Sequence, residues 1–171
     1  MCFLCDNPEA TPADYDRYLD DLIARFGWAI TAVAPDRARA PLAYTIGLTR
    51  FDVPELVVTG LRADRASILL NQLAHHCHHS EVELLPGEQF ELTGRECPPM
   101  PAYSIEVAAV PRPDAHLFDA ARRYGPRVRA LQLVWADDRG RWPWERGHRG
   151  GRGGQPVLGP RATLHQAPGS A

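Results

Sequence analysis

Apolar side chains recur at helical spacing near the start of the chain. They fall three or four positions apart, which places them on one face of a helix. The members of this stripe are Tyr15, Leu19, Leu22, Ile23 and Phe26. Thr11 is suited to cap the helix, Pro12 to occupy its first position and Gly27 to end it. The pattern predicts a helix over 12–26.

A second helical stripe begins at Asp64 and runs into a histidine-rich end. Its apolar members are Ala66, Leu69, Leu70, Leu73, Ala74 and Cys77. The stretch closes with four histidines and Ser80, where we expect the helix to end. A third, shorter helix is predicted over 114–124, because Gly125 and Pro126 follow it and both residue types end helices.

Alternation of apolar and polar residues predicts strands elsewhere in the chain. It is clearest over 102–110, where Tyr103, Ile105 and Val107 share one face. The other predicted strands cover 28–34, 42–48, 55–59, 89–93 and 129–135. We expect the pair formed by 42–48 and 55–59, whose connecting loop contains Pro54, to be the centre of the fold.

The order of these elements indicates the fold class. Strands and helices are interspersed without a regular βαβ alternation, and short loops join several neighbouring strands. Such connections favour antiparallel pairing. We therefore predict an α+β fold, in which three helices pack on a curved, mainly antiparallel sheet or half-barrel of about five or six strands.

Length and composition bound the domain organisation. A chain of 171 residues is expected to form one domain. We assign that domain to residues 1–145, with a short lead over 1–7 that contains Cys2 and Cys5. Residues 146–171 are rich in glycine, arginine and proline, and we expect them to form a flexible C-terminal arm.

The charged residues exclude several kinds of chemistry. The net charge of −2 is unevenly divided, since the arm carries +4 and residues 1–145 carry −6. All 19 basic residues are arginines. Without lysine there is no lysine Schiff base, no pyridoxal-phosphate linkage and no Walker-type phosphate lysine. Arginine retains bidentate recognition of carboxylates and phosphates.

The compartment follows from what the sequence lacks. No apolar run approaches the roughly 18 residues of a membrane span, and the chain does not open with a basic-then-apolar signal segment. We therefore expect a cytoplasmic protein with no membrane partner. Its four cysteines are expected to remain reduced thiols in that compartment.

Five short motifs, taken in order, carry a resemblance to a known family. They are Trp28-Ala-Ile, Ala43-Tyr-Thr-Ile-Gly-Leu, Pro54-Glu-Leu-Val-Val-Thr-Gly-Leu, Leu69-Leu-Asn and Asp138-Arg-Gly-Arg-Trp-Pro-Trp. Together with the Met-Cys-x-x-Cys opening, they resemble the bacterial domain of unknown function numbered 4262 over roughly residues 1–160. The resemblance implies a compact α+β domain of bacterial cytosolic origin, and it implies no catalytic residue.

Polar residues on the central strand pair are the candidates for a ligand pocket. Tyr44, Thr45 and Glu55 are the three residues that we assign to it. Glu55 can act as a general base if it is desolvated. The alternative is a strand-end carboxylate that hydrogen-bonds a neighbouring loop or pairs with an arginine.

Thiols and imidazoles supply a second candidate site. Cys2 and Cys5 have the spacing of half a tetrahedral zinc site or of a redox pair, and His75 and His79 lie one helical turn apart. We predict that these four residues bind a metal, for which zinc is the candidate. The alternatives are a redox pair, incidental thiols, and histidines that are solvated at a helix C-terminus.

These features lead to three functional hypotheses. The first is a binding module for a small molecule or metal, or an accessory enzyme, with its pocket beside the central strand pair. The second is a nucleic-acid accessory protein that uses the Arg/Gly-rich arm, which the negative charge of residues 1–145 opposes. The third is a thiol redox or zinc-binding protein that uses Cys2 and Cys5.

Overall fold

The computed structural model describes residues 7–37, 39–80, 83–92, 102–150 and 153–162. The helices in these ranges are α1 (Pro12–Phe26), α2 (Ala63–His79) and α3 (Phe118–Tyr124). The strands are β1 (Ala29–Val33), β2 (Leu42–Ile46), β3 (Glu55–Thr59), β4 (Gln89–Leu92), β5 (Tyr103–Ala109) and β6 (Ala130–Trp135). Short 3₁₀ turns cover Leu48–Phe51, Pro113–Ala115 and Gly125–Arg127.

The six strands form one open sheet in the order β1-β2-β3-β6-β5-β4. Four of the five pairings are antiparallel, and β3 and β6 run parallel, with Leu56 opposite Leu131. The α+β class and the mainly antiparallel sheet are thus confirmed. The parallel pair arises because α2 and the β4–β5 pair separate β3 from β6 along the chain.

Apolar residues on the two faces of the sheet form two cores. Leu56 and Val58 of β3 belong to the core that contains the apolar stripe of α2. Val57, which points to the other face because side chains alternate along a strand, belongs to the core shared with α1 and α3. None of the described helices is long and apolar enough to cross a membrane.

The predicted extent of the first helix is confirmed, because local signals set it. The backbone N–H of Asp14 donates to Thr11 Oγ1 at 3.3 Å, and the N–H of Thr11 donates to Asp14 Oδ2 at 2.8 Å. This capping box satisfies donors that the first turn leaves unpaired. At the other end Gly27 has a φ of 89°, which glycine adopts without steric cost.

Two predicted elements have a boundary that is wrong by more than one residue. The helix predicted over 114–124 is interrupted, because Leu117 is fully buried in a non-helical conformation between the 3₁₀ turn at Pro113–Ala115 and α3. The strand predicted over 42–48 ends at Ile46. Gly47 leaves the extended region with a φ of 131°, and Leu48 begins a 3₁₀ turn.

Residues 153–162, which belong to the predicted arm, lie against β6. The side chain of Gln155 accepts from the backbone N–H of Trp135 at 2.9 Å and donates to its carbonyl at 2.8 Å. Gln132 donates to the carbonyl of Pro156 at 2.8 Å and accepts from the N–H of Leu158 at 2.7 Å. Two buried glutamines therefore supply four of the hydrogen bonds that hold this segment to the sheet.

The hydroxyl of Tyr44 connects β2 to the start of α3. It donates to Asp119 Oδ2 at 3.1 Å and accepts from the backbone N–H of Asp119 at 3.2 Å. The side chain is buried in the core shared with α1 and α3. Burial, together with the charge of Asp119, raises the pKa of Tyr44 above its ordinary value, so the hydroxyl keeps its proton.

We predict that Tyr44→Phe lowers the free energy of unfolding by about 1–3 kcal/mol, because the N–H of Asp119 loses its partner in a buried setting. Urea denaturation measures the change. The matched control is Tyr124→Phe, since no hydrogen bond of the Tyr124 hydroxyl occurs among the described residues. Equal losses in the two variants would contradict the assigned role of the Tyr44 hydroxyl.

Candidate functional site

The carboxylate of Glu55 is fully buried at the start of β3 and accepts four hydrogen bonds. Its Oε2 accepts from the hydroxyl of Thr45 at 2.7 Å. Its Oε1 accepts from the N–H of Gly47 at 2.9 Å, the N–H of Thr49 at 3.0 Å and the hydroxyl of Thr49 at 2.8 Å. We call these four residues the Glu55 cluster. Glu55 forms no ion pair with the described arginines.

The Glu55 cluster forms where the hydrogen-bonded pairing of β2 with β3 stops. The last paired residues are Tyr44 and Val57. Beyond them, the N–H of Leu56 donates at 2.9 Å to the hydroxyl of Thr45, so the acceptor here is a side-chain oxygen instead of a backbone carbonyl. Gly47 is required here, because an added Cβ would lie 2.6 Å from the carbonyl oxygen of Gly27.

Burial is the main influence on the protonation of Glu55. It raises the pKa of this carboxyl above its ordinary value, and the hydrogen bonds from Thr45, Thr49 and Gly47 offset only part of that rise. The folded protein therefore binds the Glu55 proton more tightly than the unfolded chain does. Ionisation of Glu55 costs stability, and that cost grows as the pH rises through the raised pKa.

A cleft of about 500 Å³ opens beyond the loop that the Glu55 cluster holds. We call it the amino-end cleft, because its lining includes residues that precede β3 and β6. Its apolar lining comprises Phe51, Val53, Pro54, Leu56, Leu84 and Leu131. Its polar lining comprises Asp52, Cys77, His78, Glu83 and Arg129.

Asp52 and Arg129 pair on the lining of the amino-end cleft. Arg129 Nη2 donates to Asp52 Oδ1 at 2.8 Å and also to the backbone carbonyl of Asp52. Asp52 has a φ of 59°, and it is the one non-glycine residue with a positive φ among the described positions. Asp tolerates this conformation better than most residues, and such conformations occur often at functional sites.

His78 and Cys77 bring the end of α2 to the amino-end cleft. The rings of His78 and Phe51 lie 4.1 Å apart between centroids. The Cys77 side chain is buried, and burial raises the pKa of its thiol. A protonated thiol is a poor nucleophile at neutral pH, so Cys77 acts in this cleft as an apolar surface.

The structure brings two of the three predicted pocket residues together. Thr45 and Glu55 share a hydrogen bond, whereas Tyr44 contacts Asp119 in the core on the α1 and α3 side. None of the three lines the clefts that lie beside α2. Ligand binding by Tyr44, Thr45 and Glu55 stays a prediction. The arrangement of Glu55 matches the alternative of a carboxylate that hydrogen-bonds a neighbouring loop.

The predicted metal site falls only partly on the described residues. Cys2 and Cys5 lie outside them. The rings of His75 and His79 lie 4.3 Å apart on the exposed side of α2. Among the positions that the structure describes, no group of three or more His, Cys, Asp or Glu residues is arranged to hold a metal ion. Metal binding by these four residues stays a prediction.

Sequence reasoning missed the polar residues of the amino-end cleft, chiefly Asp52, His78 and Arg129. Asp52 follows Phe51 in the loop between β2 and β3, so the loop was identified but its chemistry was not. Arg129 lies 77 positions from Asp52 in the chain, and its contact depends on the parallel β3–β6 pair. No local signal marks such a contact.

The raised pKa of Glu55 predicts a pH-dependent difference between the natural protein and Glu55→Gln. The natural protein should be most stable relative to the variant at pH near 4.5, the ordinary value for glutamate. Its advantage should shrink as the pH rises, because only the natural side chain then ionises. Urea denaturation of both proteins from pH 4.5 to 8.5 measures this difference, and all other titrating groups are shared. A difference that stays constant or grows with pH would contradict the raised pKa.

Comparison with known proteins gives one match. A family model, Domain of unknown function (DUF4262), matches residues 22–149, which is most of the chain. This stretch includes β2, β3, α2, the Glu55 cluster and the amino-end cleft. No curated protein and no solved structure matches the chain. The chain therefore belongs to the DUF4262 family, whose members are domains of unknown function.

Proposed function

We propose that this protein binds a small molecule in the amino-end cleft. The observation that carries the proposal is the cleft itself, about 500 Å³ in volume beside β3 and within the range typical of small-ligand sites. Its lining combines apolar side chains with a few convergent polar groups, which is the usual composition of such sites. The first sequence hypothesis expected a pocket beside the central strand pair.

The lining favours a ligand with one flat apolar part and one hydrogen-bond acceptor. Leu56 and Leu131 belong to adjacent parallel strands and offer an apolar floor. Phe51 is 42 % exposed, so much of its ring is available for contact. Arg129 has five N–H donors and uses one nitrogen on Asp52, which leaves donors for an acceptor on the ligand.

The geometry supports binding rather than nucleophilic catalysis. Cys77 is the one thiol among the described residues of the lining, and this buried thiol remains protonated at neutral pH. The His78 ring contacts the Phe51 ring in a tilted arrangement, and no hydrogen bond joins His78 to Cys77 among the described residues. The Cys77 thiol therefore has neither a lowered pKa nor an adjacent base within hydrogen-bond reach, which are two common means of activating a nucleophile.

A thermal-shift screen of metabolites and cofactors tests the proposal. A ligand present at 100 times its Kd should stabilise the protein by about 2.7 kcal/mol. Phe51→Ala should weaken binding of that ligand, because it removes an aromatic surface of the cleft. The matched control is Phe118→Ala, since Phe118 is 69 % exposed and lies outside the cleft. A screen without hits, or a hit whose affinity is equal in the two variants, would contradict the proposal.

A second candidate function is zinc binding by Cys2, Cys5, His75 and His79. The observation that favours it is the side-by-side placement of the His75 and His79 rings on one face of α2. Two thiolates and two imidazoles form a common tetrahedral zinc site. Partial desolvation and the neighbouring His75 and His78 lower the pKa of the exposed His79, which favours the neutral imidazole that a metal needs.

Elemental analysis of the purified protein tests the zinc hypothesis. It predicts close to one zinc per chain, with loss of the metal and of thermal stability in the Cys2→Ser, Cys5→Ser double variant. The same loss is expected in His75→Ala, His79→Ala. The control is His116→Ala, a histidine outside α2. Metal-free protein with two freely titrating N-terminal thiols would falsify the hypothesis.

A further inference from the structure

A second cleft lies at the opposite end of the parallel strand pair. Gly60 and Leu61 follow β3, while Ala136 and Asp137 follow β6, and all four residues line a cleft of about 370 Å³. We call it the carboxyl-end cleft. The chain passes directly from β3 into α2, whose first residue is Ala63. In α/β sheets, ligands bind preferentially outside the carboxyl ends of parallel strands.

Three arginines line the carboxyl-end cleft: Arg62, Arg65 and Arg149. Arg62 forms an exposed pair with Asp64. Neither Arg65 nor Arg149 forms an ion pair with a described residue. Two guanidinium groups at the cleft thus retain their capacity to bind a carboxylate or phosphate.

The acidic residues of this lining do not cancel that charge. Asp137 is bound to the guanidinium of Arg141 at 3.1 Å and accepts backbone hydrogen bonds from Arg139, Arg141 and Arg149. Asp138, another acidic residue of the lining, is one carboxylate against the two guanidinium groups of Arg65 and Arg149, so a positive charge remains. At the helix end, the carboxylate of Asp64 already accepts the N–H of Arg65. The side chains of Arg65 and Arg149, rather than the helix terminus, therefore supply the positive charge of the cleft.

Tyr103 supplies an independent indication of a ligand. It lines the carboxyl-end cleft and is only 6 % exposed, and its buried hydroxyl has no hydrogen-bond partner among the described residues. An unpaired buried hydroxyl is costly, and phenylalanine would avoid that cost. Its ring lies 6.2 Å from that of Trp135, a further lining residue. The buried Nε2 of His148, whose ring is 5.6 Å from Trp135, is also unpaired.

We propose that the carboxyl-end cleft binds the oxyanion group, phosphate or carboxylate, of a small ligand. Arg65 and Arg149 provide the positive charge, and the Tyr103 hydroxyl, which has no hydrogen-bond partner among the described residues, donates a hydrogen bond to the ligand. The site is separate from the amino-end cleft, because α2 contributes its first turn to one cleft and its last turn to the other. The two clefts are therefore testable independently.

The first experiment titrates the protein with inorganic phosphate and with acetate, each against chloride at constant ionic strength, and follows binding by calorimetry and thermal shift. We expect at least one of the two anions to bind the natural protein. Binding of phosphate alone identifies a phosphate site, and binding of acetate alone identifies a carboxylate site. No binding of either anion beyond the chloride baseline would overturn the proposal.

The second experiment compares the anion affinity of two double variants, each of which replaces two arginines with glutamines. The double variant Arg65→Gln, Arg149→Gln should lower the affinity for the anion at least tenfold. The control double variant Arg37→Gln, Arg127→Gln, at exposed positions outside the cleft, should leave that affinity unchanged. If the double variant has a lowered Tm, each single variant is measured instead. Equal weakening in the two pairs would show a general charge effect and overturn the site.

The third experiment separates a binding role of Tyr103 from a structural one. Tyr103→Phe removes an unpaired hydroxyl, so the Tm of the ligand-free protein should stay equal or rise. The same substitution should lower the affinity for the anion severalfold. A purely structural tyrosine would instead lower the Tm and leave the affinity as it was. That outcome, or unchanged affinity with any Tm, would remove Tyr103 from the proposal.

Discussion

The hydrogen bonding of the buried Glu55 carboxyl is the interaction on which the lining of the amino-end cleft depends. Burial makes ionisation of this carboxyl costly, and the four hydrogen bonds that it accepts offset part of that cost. Three of them come from Gly47 and Thr49, which lie in the loop between β2 and β3. The carboxylate therefore fixes where β2 ends and where the 3₁₀ turn at Leu48–Phe51 begins. That turn carries Phe51 and leads to Asp52, so the lining of the amino-end cleft follows from one buried side chain.

The parallel pairing of β3 with β6 gives the molecule two chemically different ends. Residues before the two strands lie on a cleft of mixed polar and apolar lining that includes the Asp52–Arg129 ion pair. Residues after the strands lie on a cleft whose described lining includes Arg62, Arg65 and Arg149. Helix α2 runs beside both, since Cys77 and His78 reach the first cleft and Arg62 and Arg65 reach the second. A 17-residue helix spans about 25 Å at 1.5 Å per residue. That length separates the clefts enough for each to accept a ligand of its own.

Local patterns predicted the elements, and distant contacts explain what the patterns missed. The bounds of α1 followed from Thr11, Pro12 and Gly27, because caps act within one turn. The extent of β3 was also predicted, since its apolar run is bounded by Pro54 and Gly60. The parallel pairing was not predicted, because it is set by how α2 and the β4–β5 pair return the chain to β3. Both clefts depend on that pairing, so their lining residues are scattered along the sequence.

Glu55 and Asp137 show how a buried carboxyl group can hold a loop with opposite shifts of its pKa. Each is buried and holds a loop beside a cleft through backbone N–H groups. Burial opposes ionisation of both, but Asp137 gains more backbone donors and the guanidinium of Arg141, which hold its pKa well below the ordinary range. The stabilisation by Asp137 is therefore present above the ordinary pKa of aspartate and is lost only as the pH falls toward the lowered value. For Glu55 the pH dependence is the opposite, because its pKa is raised: its contribution to stability falls as the pH rises. Acidification therefore removes the stabilisation by Asp137 at the carboxyl-end cleft, whereas at the amino-end cleft it removes the cost of ionising Glu55.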